Sequence, residues 1–345
     1  MTRAALMALA AAALFGASAP VAKRLLAEVS PALLAALLYA GEGLMALPFA
    51  ARAWKRREAP LRAADLPLLA GVVAFGGVAA PLLLLFGLQR TSATATSLLL
   101  NLEAVFTTAI AVVVFREWIG RRGLGALVVV IAGCALSTWA AGGATRTLLG
   151  PLAVAAACLF WAIDNNLTQR LSLKDPLAVV CVKGLGASPI AFAIAYATHA
   201  TSPWPPARAI LGALALGAVS YGVSLSLYVR ALRTLGAART GVLFAAAPFV
   251  GAALAIPIAG EPASLRVAGA ALLIAAGVLL LLTEKHGHRH THETLDHEHL
   301  HVHDEHHQHP HRGDEGPEPH AHPHHHEPIE HAHPHASDAH HRHKH

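Results

Sequence analysis

Charge is scarce in this chain. Asp, Glu, Lys and Arg make up 14% of its 345 residues, and most of them lie between long apolar runs or beyond residue 283. Cysteine is scarcer still. Cys134, Cys158 and Cys181 each sit inside an apolar run, no two have C-x-x-C spacing, and the number is odd. That excludes a disulfide framework or a cysteine metal knuckle and leaves buried packing as their role. A G-x-x-x-x-G-K-[ST] loop is absent, so nothing points to ATP-driven pumping by this chain, and no nucleophile elbow marks a hydrolase. No enzyme activity and no required cofactor are expected. Aromatic residues are few (6%) and the basic residues scattered, so no stacking platform for nucleic acid exists despite a pI near 9.4.

What is present in quantity is apolar length. Hydrophobic residues make up 54% of the chain, and runs of about 20 residues, enough to cross a bilayer, recur near 4–22, 31–50, 66–88, 92–115, 123–141, 148–168, 176–198, 209–229, 237–258 and 264–282. Lipid offers no partner for backbone polar groups, so runs of this length must be helices. The runs repeat. A shift of 144 places Leu88 on Leu232, Thr96 on Thr240, Glu117 on Glu261, Arg122 on Arg266, and Gly125, Ala126 and Gly133 on Gly269, Ala270 and Gly277. A shift of 145 places Phe15, Pro31 and Gly41 on Phe160, Pro176 and Gly186. Each copy holds an odd number of spans, five, so the second enters the membrane upside down, as in many secondary transporters. The expected fold is an all-α membrane protein with ten transmembrane helices in two inverted five-helix repeats, 1–141 and 148–282, followed by a disordered tail, 283–345.

Arg3, an alanine-rich run and Ala17-Ser18-Ala19 imitate a cleavable secretory signal, but Phe15 to Pro31 has a counterpart at Phe160 to Pro176, so the segment reads as a retained helix. Lys and Arg concentrate in alternate loops, above all Arg52, Lys55, Arg56, Arg57 and Arg62. The positive-inside rule then puts both termini in the cytoplasm. The basic balance also favours anionic lipid heads.

Two endings, Phe115-Arg116-Glu117 and Gly260-Glu261, are each followed by an Arg and a glycine-bearing helix. With the inverted halves, they make about 280 residues resemble the drug/metabolite transporter superfamily of EamA type. Leu100-Asn101-Leu102-Glu103-Ala104-Val105-Phe106-Thr107 and Trp161-Ala162-Ile163-Asp164-Asn165-Asn166-Leu167-Thr168 look like a bacterial subgroup with a histidine-rich tail. The resemblance implies ion-coupled export of small metabolites or toxic solutes across a bacterial inner membrane, with some relatives linked to nickel or cobalt resistance. A homodimer is also admitted. The family often has a proline in both the fourth and ninth helices. Here the ninth keeps Pro248, while the fourth has Ala104 preceded by Glu103. The second helix often carries an Arg, where this chain reads Tyr39-Ala40-Gly41-Glu42.

Glu42, Glu103, Asp164 and Lys183 lie inside apolar runs, and an ionisable group at bilayer depth is functional by default. Glu103 is deepest, roughly 18 Å from its helix end at 1.5 Å per residue. Ser92, Thr96, Glu103 and Thr107 recur at steps that give one helical stripe, read as a cavity lining. Interhelical bonding by Ser and Thr is the alternative. A carboxyl group that gains and loses a proton there can exchange it for a cationic substrate. Asp164 and Lys183, on consecutive helices, are expected to form an ion pair or gate extended by Asn165 and Asn166. Glu42 is either on the substrate path or a stabilising contact.

Beyond residue 285 the composition changes abruptly. Of 25 histidines, His199 alone precedes His286. With Pro, Asp and Glu between them no core can form. His286, His288, His290 and His292, then His297, His299, His301 and His303, alternate at spacing two, and His324, His325 and His326 run together. In an extended chain alternate imidazoles share a side and can chelate Ni, Co or Zn. The tail can load metal toward an exporter, sense it, or buffer it. The substrate is left as a metal ion or a small organic molecule.

Overall fold

The computed structural model describes residues 3–53, 61–114, 119–140, 148–171, 174–235, 237–282, 286–291, 295–301, 320–326 and 330–335. Ten helical rods follow one another. The first (Arg3–Leu25), second (Pro31–Ala53), third (Ala63–Arg90), fourth (Ala93–Val114) and fifth (Arg121–Ala140) form one half. The sixth (Leu149–Gln169), seventh (Pro176–Ala197), eighth (207–235), ninth (237–259) and tenth (Leu265–Leu282) form the other. Eight rods are long and apolar enough to cross a membrane, and the tenth offers a slightly shorter run, Leu265–Leu281. The sixth has the length but carries the polar sequence Asp164-Asn165-Asn166 within its last two turns. Leu6, Val113, Val128, Trp139, Leu152 and Leu272 point outward, as expected of a bundle whose solvent is lipid.

Packing follows the repeat. The second rod lies against the seventh, and the fifth against the tenth. The first packs on the eighth and ninth, and its repeat partner the sixth packs on the third and fourth. A pseudo-twofold axis therefore runs between the second and seventh rods and between the fifth and tenth. Along the former seam Ala35 clusters with Ala191 and Ala195, Tyr39 with Ala187, and Ala46 with Val180 and Cys181. The numbering rises on one rod as it falls on the other, so the halves are inverted. Small residues permit the closest approaches, since apolar helices in lipid associate through packing. A Cβ on Gly184 would lie 2.6 Å from Gly43 N, and one on Gly43 would lie 2.8 Å from Leu185 N. At the other seam the symmetry is visible atom by atom. A Cβ on Gly133 would meet Ile274 N and Ala270 O at 3.1 and 3.2 Å, and one on Gly277 would meet Val130 N and Ala126 O at 3.0 Å each.

Several rods are irregular, and two irregularities are duplicated. The third and eighth contain π-helical segments, Val72–Ala79 and Gly217–Val223, which coincide under the repeat shift. The fourth and ninth are broken near their middles, at 100–101 and 245–246, again matched positions. In the ninth, Pro248 removes a backbone donor just after the break. In the fourth, Asn101 acts instead. Its Nδ2 donates to Leu98 O at 2.9 Å, and a side chain bonding its local backbone competes with the helical ladder.

In the tail, His286–Thr291 pairs antiparallel with Glu330–His335, and Leu295–His301 with His320–His326. Each ribbon is two strands wide, a unit marginally stable at best in water, and neither adds to the membrane-embedded core.

Candidate functional site

The breaks in the fourth and ninth rods divide each into two halves, and the halves behave differently. At the end opposite the termini, 93–99 packs against 247–259. At the end carrying the termini, the repeat-related segments 102–114 and 237–244 form no such packed seam among the described residues. Among the described residues this asymmetry points to a cleft on the tail side between the fourth and ninth rods, reaching the level of the breaks.

The ionisable residues gather at that level. Asp164, on the sixth rod and 3% exposed, holds an ion pair through Oδ2 with Lys183 Nζ on the seventh. Thr168 Oγ1 donates to its other oxygen at 3.3 Å. Glu103, just past the fourth rod's break, accepts a 2.7 Å hydrogen bond from Asn165 Nδ2. Glu42, midway along the second rod, is 3% exposed, and its Oε2 has no hydrogen-bond partner among the described residues. Lys183 lies within Coulombic range of Asp164, Glu42 and Glu103 alike. The ammonium thus pairs directly with Asp164, while Glu42 and Glu103 interact with it at longer range. Asn165 is exposed and Glu103 and Lys183 are partly so. Lipid would not tolerate such groups, so this exposure is to the cleft.

The backbone makes room for this cluster. Gly76 lies in the third rod's π segment with its Cα against Asp164, where a Cβ would overlap the carboxyl group. Its carbonyl, freed from regular α-helical pairing, accepts from Tyr39 Oη at 2.8 Å and from Trp161 Nε1 at 3.2 Å. Gly76→Ala is therefore expected to expel the Asp164 carboxyl from its seat. The measurement is transport by a variant that still inserts and elutes as a single species. A loss of at least tenfold is expected, and wild-type transport would show that the seat is dispensable.

The expected stripe on the fourth helix is not continuous. It assumes an unbroken helix, and the break at 100–101 changes its phase. Ser92 caps the helix start, accepting from Ala95 N at 3.1 Å. Thr96 is fully buried above the break, its hydroxyl without a hydrogen-bond partner among the described residues. Glu103 and Thr107 alone lie on the tail-side half with the cluster, and Thr107 Oγ1 is also unpartnered. Asn166 turns away from the cluster, donating from Nδ2 to Ala162 O at 2.8 Å. Among the tail histidines, His292 and His303 lie outside the described residues. For His286, His288, His290, His297, His299, His301, His324, His325 and His326 only the backbone is described. His297-Glu298-His299-Leu300-His301 also fits H-E-x-x-H, but that zinc motif needs a helix and the segment is strand.

Two charged residues at the far end carry more structure than their place in loops suggested. Lys23 donates to Leu88 O at 2.6 Å, Gln89 O at 3.3 Å and Thr91 O at 2.8 Å. Glu261 accepts from the backbone amides of Ala93 and Thr94 at 2.5 and 2.9 Å, and from the Thr94 hydroxyl. Glu261 was legible as half of a duplicated ending, and its target was signalled by Ser92 and Thr94, which open the fourth rod.

An all-helical bundle of inverted repeats with a cleft ending on buried charges defines a multi-pass membrane protein of transporter type. Residues 2–139 and 148–283 each match the EamA-like transporter family, and the chain belongs to that family. It is 30% identical over 232 residues to an uncharacterized transporter of Methanothermobacter thermautotrophicus, a match covering 65% of this chain and 66% of that relative. The fold resembles a crystal structure of a protein at a TM-score of 0.61, with 21% identity over 82% of this chain and 99% of the other.

Proposed function

We propose that the chain is a secondary active exporter of small cationic solutes in a bacterial inner membrane, with both termini cytoplasmic, and that it works by proton-coupled alternating access. The observation that carries this reading is the single Lys183 ammonium shared by Asp164, Glu42 and Glu103. One ammonium balances one carboxylate, and any further carboxylate drawn out of water calls for another positive charge. Protons or a cationic substrate must make up the deficit, and competition between the two is antiport. Glu103, bonded only through Asn165 and open to the cleft, is the exchange site. Glu42 lies on the path, with Thr107. The Asp164–Lys183 pair is a gate, with the Lys183 ammonium occupying the place a substrate cation competes for.

Rings favour an organic cation as that substrate. Tyr39 and Tyr221 lie 6.0 Å apart, centroid to centroid, and Phe15 lies 5.8 Å from Tyr221 and 5.5 Å from Phe244. Both tyrosines lie within Coulombic range of Glu42, and aromatic faces attract ammonium and guanidinium groups. Among the described residues no three His, Cys, Asp or Glu side chains are placed to hold a metal ion. The histidine tail carries the metal reading separately, as a chelator of Ni, Co or Zn that loads, senses or buffers the ion.

The test compares cells expressing the full chain, the chain ending at Glu284, and full-length Glu103→Gln. Accumulation of nickel, cobalt and zinc is measured alongside that of an organic monocation, at two external pH values. The expected result is lower accumulation of the organic cation in the full chain and the truncation. Glu103→Gln should lose at least tenfold of the export and all of its pH dependence. Export by Glu103→Gln with unchanged pH dependence would sink the exchange site. Metal efflux that needs both Glu103 and the tail would move the substrate to a metal ion.

A further inference from the structure

The end opposite the termini is held shut by a small set of polar contacts among otherwise apolar helices. The turn from 88 to 94, between the third and fourth rods, is gripped from both sides. Lys23 on the first rod takes the carbonyls that end the third rod, Leu88, Gln89 and Thr91. Glu261, two residues past the ninth rod, takes the amides that begin the fourth, Ala93 and Thr94, together with the Thr94 hydroxyl. A cation at a helix C-terminus and an anion at an N-terminus each match the local dipole. Gly260, in the left-handed region at φ +73°, ends the ninth rod and turns the chain so that Glu261 can reach across. Beneath this grip the helices are in close contact. A Cβ on Gly251 would lie 2.7 Å from both Gly16 O and Ser97 Oγ, so the first, fourth and ninth rods touch at this point.

We propose that Glu261, with Thr94 and Lys23, is the latch that closes this end, and that its advantage over the repeat-related counterpart sets the resting direction of the transporter. The repeat makes the comparison possible. Under the shift of 144, Glu261 corresponds to Glu117, so the acid is duplicated, but Thr94 corresponds to Ala238. Under the shift of 145, Lys23 corresponds to Thr168. At the matched positions, then, residue 238 carries no hydroxyl and residue 168 no cation. A charge-assisted hydrogen bond is roughly twice as strong as a neutral one, so the better-furnished end closes first and the chain rests open on the tail side. Substrate release then requires the two amides and the hydroxyl of residues 93–94 to part from Glu261 together.

This inference rests on the alternating-access reading, and one experiment separates the two. Full-length protein with Cys134, Cys158 and Cys181 replaced by alanine is spin-labelled in liposomes at one of two cysteine pairs. Gln89→Cys with Ala263→Cys reports the latched end, and Val113→Cys with Val242→Cys reports the tail side. Distance distributions are read by electron–electron double resonance. The parent should show a narrow, short distance at the latched end and a long one on the tail side. Glu261→Gln and Thr94→Val should each change the ratio of the two states toward the reverse arrangement, roughly tenfold or more for Glu261→Gln, with Glu261→Asp between it and the parent. Ala238→Thr, which supplies the missing hydroxyl at the other end, should move the ratio the same way. If Ala238→Thr or a saturating organic cation moves both distances while Glu261→Gln matches the parent, alternation stands and the latch is overturned. If neither pair moves in any variant or with any cation, alternating access itself falls. Elution of each variant as a single species in detergent guards against misfolding.

Discussion

Lys183→Met is expected to cost about 3–5 kcal/mol of stability, because removing one partner strands the other as a buried charge. Asp164 and Lys183 keep only 5% and 19% of their side-chain surface exposed, so water can do little to rescue the orphaned carboxylate. Asp164→Asn should cost a comparable amount for the converse reason. The double variant Asp164→Asn/Lys183→Met should recover most of the loss, since a neutral pair of similar volume needs no compensating charge. Thermal unfolding in detergent gives the stability, and export of an organic cation gives the function. The decisive comparison is the double variant, expected to be stable yet inactive. Recovery of export together with stability would reduce the pair to a structural brace. In that event the accounting of one ammonium for three carboxyl groups would lose its meaning for transport.

Gly184→Leu is expected to abolish the folded, active protein, the largest effect of any single substitution outside the charged cluster. Overpacking in a well-filled core ordinarily costs about 1–3 kcal/mol because side chains shift to accommodate it. Here nothing flexible stands in the way. A Cβ on Gly184 would meet Gly43 N at 2.6 Å and Tyr39 O at 2.9 Å. The second and seventh rods would have to separate along the whole seam that holds the two halves together. Tyr39, which braces Gly76 O, lies on that seam, so the displacement would reach the Asp164 seat as well. Gly125→Leu is the matching control. Among the described residues no atom beyond the chain neighbours and local helix backbone lies within 4 Å of a Cβ at Gly125, and this change should leave expression, elution and export near wild type. Equal damage from both substitutions would mean that helix propensity, and not close approach, governs these glycines.

The architecture was legible because its causes are spread over many residues. Apolar length gave ten rods with ends within a few residues of those observed, and of the residues that marked the repeat, Ala126 and Gly133 with Ala270 and Gly277 lie on the seam between the fifth and tenth rods. The charged residues drew attention for an equally general reason, the cost of charge in lipid. What escaped was local. Asn101 breaks the fourth rod without a proline or glycine to announce it, and a stripe drawn through Ser92, Thr96, Glu103 and Thr107 crosses that break unaware. The π segments leave no signature in sequence, because one extra residue per turn shifts the register of a helix that is apolar on every side. Lys23 and Glu261 were counted as loop charges or as a family ending. Their partners are backbone groups, which every residue possesses, so no pattern of side chains singles them out.

The matched π segments have a consequence for ancestry. A π turn holds one residue more than the α turn it replaces, and two such surpluses at the same place in both halves are most simply one event copied with the rest of the unit. The deformation therefore predates the duplication, as do the breaks in the fourth and ninth rods and the glycines of the fifth and tenth. A single five-helix chain carrying all of them would have had no partner half within itself. It would have been complete only when two identical copies met in opposite orientations, with Gly133 of each against the same helix of its twin. The differences between Lys23 and Thr168 and between Thr94 and Ala238 then date from after fusion, when the two ends of the molecule were first free to differ.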